Sequence, residues 1–78
     1  MKITSEHLDT LRGFIAPVMA RVPVSQYRAD NPTFTAKRVR WDYFHAAGKP
    51  ALEFLCRTLY QYMNDDHMDT ALKAIVGV

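Results

Sequence analysis

Two short runs, Gly48-Lys49-Pro50 and Asn64-Asp65-Asp66, divide the C-terminal half of this chain into segments that only helices can occupy. Glycine ends helices by adopting a left-handed conformation, and proline suits the first helical position that follows. Asn and Asp side chains cap free backbone N–H groups at a helix start. Between these marks the apolar residues recur at steps of three and four, which places them on one helical face. Val39, Tyr43 and Ala46-Ala47 form such a stripe in a helix predicted from Thr35 to Ala47, closed by a left-handed Gly48. Trp41 and Phe44 lie partly off the stripe. Ala51, Leu52, Leu55, Leu59, Tyr62 and Met63 mark a second helix beginning at Pro50, and Met68, Ala71, Leu72 and Ile75 mark a third from about Asp66 to Val76, ended by Gly77.

The N-terminal half carries a weaker pattern. Thr4 or Ser5 can cap a helix whose stripe is Leu8, Leu11, Ile15 and Val18. Pro17 falls inside it. An interior proline loses one hydrogen bond and clashes with the preceding turn. The expectation is a stop or kink near Ile15-Ala16, a short turn from Val18 to Val22, and an end at Pro23. Residues 24–33 read as a connector punctuated by Ser25, Asn31 and Pro32, with Tyr27 tucked against a helix. No stretch alternates with period two. The fold class expected is all-α, a small orthogonal bundle of three to four short helices, with 1–78 a single helical domain. Leu55, Leu59, Leu72 and Ile75 should meet in its core.

The chain has 78 residues, so its folded state buries only about 60% of the unfolded surface and is marginally stable. Hydrophobic residues make up 49% and charged residues 23%, which excludes a disordered or fibrous chain. No apolar run approaches the roughly 20 residues of a spanning helix, so no membrane role is expected, and the polar start Met1-Lys2-Ile3-Thr4-Ser5-Glu6 does not read as a signal peptide. The lone Cys56 excludes an intramolecular disulfide and points to a reducing, cytoplasmic setting. The core must come from packing, with self-association as the available aid.

Each cluster with chemical promise has a plainer reading. Asp65-Asp66-His67-Met68-Asp69 holds metal-ligand residue types, yet consecutive helical residues diverge, and the run reads better as a capped helix start with Asp69 in its first turns. No metal and no cofactor are expected. Cys56 would need a base to act as a nucleophile, and His7, His45 and His67 are scattered, so it reads as a small core filler beside Leu52, Leu55 and Leu59. His45 reads as a half-buried packing residue. The chain is therefore not expected to be an enzyme.

Charge is uneven. Residues 12–57 hold eight of the 10 Lys and Arg residues against three of the eight acidic ones, whereas residues 58–78 hold Lys73 against Asp65, Asp66 and Asp69. The basic middle centres on Lys37, Arg38, Arg40, Trp41 and Phe44, the candidate partner-binding residues. All three cations should be exposed, because burying an unpaired cation is costly, with Trp41 or Phe44 at the edge of the same surface. Aromatics, Met and Arg are the residues that protein interfaces favour. The alternative is a small nucleic-acid-binding module using helix 35–47, its cations on phosphates and its rings on bases. Against it, the tightest helix-turn-helix candidate ends in an acidic helix, which phosphates would repel. A simpler account pairs Arg38 with Asp42 four residues on.

The stretch Arg38-Val39-Arg40-Trp41-Asp42-Tyr43-Phe44, followed by Asn64-Asp65-Asp66-His67-Met68-Asp69-Thr70-Ala71-Leu72, resembles a group of short, uncharacterised phage and prophage proteins. Their pattern is an Arg-Tyr-Arg-Trp-Asp block and then Leu-Asn-Asp-x-His-Ile-Asp-Thr-Ala-Leu-Arg. This chain departs from it at Val39, where an aromatic is expected, and at Met68, where Ile is expected. The resemblance covers the C-terminal half and implies no activity, cofactor or site. It does imply a phage-encoded accessory protein in a host bacterial cell that binds a host protein, as a host-takeover or anti-defence factor would.

Overall fold

The computed structural model describes residues 3–61 and 64–78. Among them there are helices and no strands: α1 (Ser5–Arg21), α2 (Val24–Asp30), α3 (Ala36–Ala46), α4 (Lys49–Phe54), a π-helical segment (Leu55–Leu59) and α5 (Asp65–Val76). The fold is a small all-α bundle. The expected apolar positions Tyr62 and Met63, and the polar reading of Met1 and Lys2, lie outside the described residues.

Both long helices at the chain's ends start on a reciprocal cap. The Thr4 hydroxyl accepts from the His7 backbone N–H at 3.2 Å, and the His7 ring accepts in return from the Thr4 N–H. Asn64 and His67 repeat the arrangement at α5. Each pair satisfies two of the N–H groups that a helix start leaves without partners. Gly48 separates α3 from α4 with φ 92° and ψ −169°. That is a positive-φ glycine, as the sequence suggests, but extended in ψ rather than a left-handed helical cap. Gly77 does adopt the left-handed cap at the end of α5.

Three features differ from expectation. First, α1 continues through Pro17 to Arg21. Pro17 and Gly13, whose carbonyl loses its partner, both face solvent, so water can serve that carbonyl. The interior proline costs about 3 kcal/mol, while burying a large aliphatic side chain returns about 1.5–3 kcal/mol. Ile15 and Val18 are both buried on the opposite face, so packing outweighs the proline. Second, residues 24–30 are helical rather than a connector. Pro23 sets φ at −57° before the first turn, and Val24 and Tyr27 turn toward the core. Third, the helix after Pro50 widens at Leu55–Leu59, where the Tyr60 N–H reaches back five residues to the Leu55 carbonyl at 2.9 Å. Burial follows Ala51, Leu55 and Leu59, and Cys56 falls outside that line and is exposed, not a core filler.

The core gathers Leu11, Ile15 and Val18 from α1, Val39, Tyr43 and Phe44 from α3, Ala51, Leu55 and Leu59 from the fourth segment, and Met68, Ala71, Leu72 and Val76 from α5. Of the four residues expected to meet there, Leu55, Leu59 and Leu72 are buried and Ile75 packs against the cluster from its edge. Ala46 is exposed, and Phe44 takes the place in the stripe that Ala46 was expected to hold. Truncating Leu72 to Ala should cost about 2–5 kcal/mol in urea unfolding. Cys56→Ser should stay within about 0.5 kcal/mol of the parent, since its side chain is outside the core. A Leu72→Ala loss below about 1 kcal/mol would contradict this packing.

Candidate functional site

Helix α3 carries the residues singled out from the sequence, and the structure sends them in different directions. Thr35 caps it, accepting from the Arg38 N–H at 3.1 Å, which marks where the helix begins. Lys37 and Arg38 are exposed, as expected. Arg40 is not: the residue is only 8% exposed. Its Nε and Nη2 donate to the two carboxylate oxygens of Asp69 on α5, each at 2.8 Å, and its Nη1 donates to the Val78 carbonyl at 2.7 Å. The premise that an unpaired cation is too costly to bury holds, but Arg40 is paired through a two-pronged, charge-assisted contact. Phe44 is likewise corrected from surface edge to core, at 1% exposure. Neither Arg40 nor Phe44 can form the contact face of the folded chain.

The ion pair changes both partners. The Arg40 hydrogen bonds hold the Asp69 carboxyl below its ordinary value, against an opposing effect of burial, with further help from the charges of Arg40, Lys37 and Lys73. The Asp69 hydrogen bonds raise Arg40 and keep it charged despite burial. Asp69 was read from sequence as a favourable charge near a helix start. Its actual work is to neutralise a guanidinium 29 positions away.

Arg38 is exposed yet engaged. Its guanidinium lies 3.6 Å from the Phe34 ring centroid, and its Nε sits 3.8 Å from Asp42, the i, i+4 pairing anticipated from sequence. Asp42 also accepts from the Tyr27 hydroxyl, and that bond leads the causes that push Tyr27 up to about 12. Tyr27 packs on Phe34 and Tyr43, and the Tyr43 hydroxyl donates to the Val22 carbonyl. An apolar cleft of about 260 Å³ lies here, lined by Val18, Val22, Tyr27, Asp42, Tyr43 and Ala46. Its polar groups already serve one another.

A second recess is different. Lys37 and Trp41, one turn apart on α3, face Tyr60 and Asp65 across a shallow opening of about 400 Å³. Trp41 is half-buried, its ring against Phe44 and the exposed His45. His45 was expected to be half-buried. Tyr60 donates its hydroxyl to Asp65, which raises its own pKa, and at 45% exposure it is the most exposed large apolar residue described. Lys37 makes no ion pair among the described residues. The sequence puts Lys37 and Trp41 on one helix, but gives no sign that Tyr60 and Asp65 join them, which they do only because the fourth segment and α5 turn back against α3.

Among the described residues no three His, Cys, Asp or Glu side chains converge on a point, since Asn64 and His67 cap α5 and Asp69 serves Arg40. Among them also, no helix is long and apolar enough to cross a membrane. Comparison with protein-family models, curated proteins and solved structures gave no match.

The pH dependence of stability should report Asp69. Its folded pKa lies below its unfolded value, so its contribution is complete above the ordinary carboxylate range and is lost as pH falls through the folded value. Asp69→Asn should destabilise by about 2–3 kcal/mol near pH 7. That difference from the parent should start to shrink below about pH 4, where the carboxyl of the unfolded chain begins to take up its proton, and shrink further as pH falls through the lower folded value. Urea midpoints measured across this range check it, and a difference that does not change with pH would contradict the assignment.

Proposed function

We propose that this chain is a non-catalytic protein-binding module whose contact face is centred on Lys37 and Trp41 and extends to Tyr60, Asp65 and the exposed Arg38. The observation that supports this reading is the recess itself. It combines two aromatic rings, one cation and one anion on a surface that the fold leaves open. Protein interfaces are built from such material, aromatic anchors with polar groups at their margin. The resemblance to short phage proteins makes a host bacterial protein, met in the host cytoplasm, the expected partner. A host-takeover or anti-defence role is the corresponding proposal.

The same geometry weighs against the nucleic-acid alternative. Of the three cations on α3, Arg40 is turned inward against Asp69, and Arg38 is shared between Phe34 and Asp42. Phosphate binding scales with the number of cations free to displace counterions. Helix α3 offers Lys37 without a partner among the described residues, and it stands beside the carboxylate of Asp65.

The test is affinity capture from nuclease-treated bacterial lysate with the parent chain, Lys37→Glu and Trp41→Ala. A protein retained by the parent and lost by both variants, whose helical circular dichroism is unchanged, is the expected result. Binding to mixed-sequence DNA or RNA that survives at about 0.15 M salt and is lost on the same substitutions would overturn the proposal.

A further inference from the structure

We propose that the recess formed by Lys37, Trp41, Tyr60 and Asp65 is self-complementary, and that a second copy of this chain docks on it around a two-fold axis. This rests on the reading of that face as a protein-docking surface and names one occupant for it. In a two-fold contact the same patch appears on both sides, so residue i of one copy meets j of the other while j meets i. A patch of one charge sign repels itself in this arrangement. This patch carries one cation, one anion and two aromatic rings. Turned on itself, it sets Lys37 of each copy against Asp65 of the other, with both ion pairs formed at once.

The aromatic residues supply the apolar part. Tyr60 lines the recess and is also the most exposed large apolar side chain described. Each copy therefore offers both the opening and a ring to place in the other's. Docking would withdraw Tyr60 and the accessible part of Trp41 from water. The recess is shallow, and specific stable interfaces bury about 800 Å² on each partner. A contact centred on four side chains falls at the weak, reversible end of that scale. Self-docking and partner binding use the same face and exclude one another, so a partner that binds displaces the second copy.

Two charge-reversed variants test this without any other molecule. Lys37→Asp sets carboxylate against carboxylate across the axis, and Asp65→Lys sets ammonium against ammonium. Each alone should be monomeric. Mixed in equal amounts, they restore opposite-sign facing in a heterodimer, because one copy brings only anions to the patch and the other only cations. Sedimentation equilibrium from about 10 µM to 1 mM, within the span expected of weak interfaces, should show a reversible dimer for the parent and for the mixture only. The emission of Trp41, the single tryptophan, should shift in parallel, and dimer formation should weaken as salt rises. A parent chain that stays monomeric to about 1 mM overturns the inference, as does a Lys37→Asp variant that dimerises like the parent or a folded pair that fails to combine. Asp65→Lys puts a cation at the start of α5; should it not fold, Lys37→Asp and the parent still decide the matter. None of these outcomes requires a host partner, so a monomeric parent that still captures a host protein through Lys37 and Trp41 defeats this inference and leaves the binding-module reading standing.

Discussion

A guanidinium enclosed between two helices constrains a domain this small more than any single apolar contact. Arg40 reaches from α3 to α5 and uses three nitrogens, two on the Asp69 carboxylate and one on the Val78 carbonyl. Apolar packing between the same two helices tolerates a range of placements. A planar fork matched to a carboxylate does not, because both parallel hydrogen bonds fail together if one helix slides. The pair therefore fixes the register of α5 along α3 and ties down the chain after Gly77. Its net contribution to stability is modest, since two charges had to leave water to form it. An α5 placed elsewhere would strand Arg40 without its counter-charge.

The same pair decides what remains at the surface. Drawing Arg40 inward leaves Lys37 and Arg38 as the exposed cations of α3. Arg38 settles on Phe34 and Asp42, next to a bond from Tyr27 that closes the neighbouring cleft. Lys37 stays open beside Trp41, and docking α5 against α3 brings its first turn, with Asp65, to face them. A mixed-charge, aromatic recess is thus a consequence of the same register that the buried pair imposes. The position of the candidate binding face and the packing of the core are one structural fact.

Much of the fold was legible because it depends on local chemistry. The stripe of α5, the caps at Thr4 and Asn64, and the break at Gly48-Lys49-Pro50 each follow from residues within a few positions of one another. The parts that were not legible depend on distance or on solvent. Pro17 sits inside a helix because it faces water while Ile15 and Val18 face the core; the stripe shows those faces, but not that packing on them outweighs the proline. Helix α2 has only Val24 and Tyr27 to bury, too few for a stripe. Cys56 lies in the π segment but outside the buried line of Ala51, Leu55 and Leu59, and the widened turn has no residue signature at that point. In the candidate site, Lys37 and Trp41 were readable from composition and spacing, whereas Tyr60 and Asp65 join them only through tertiary contact. Arg40 was misread for the same reason: its partner lies on another helix, and sequence spacing gives no sign of it.

Arg40 and Asp69 act as one unit holding α3 to α5, and a double-mutant cycle measures their coupling. Arg40→Met and Asp69→Ala, singly and together, would be followed by urea unfolding near pH 7. Each single change leaves one buried partner uncompensated, whereas the double change leaves neither. The double variant should be more stable than the sum of the single losses implies, by a coupling energy of about 1.5–3 kcal/mol. Losses that add to within about 0.5 kcal/mol would show two independent side chains and contradict it.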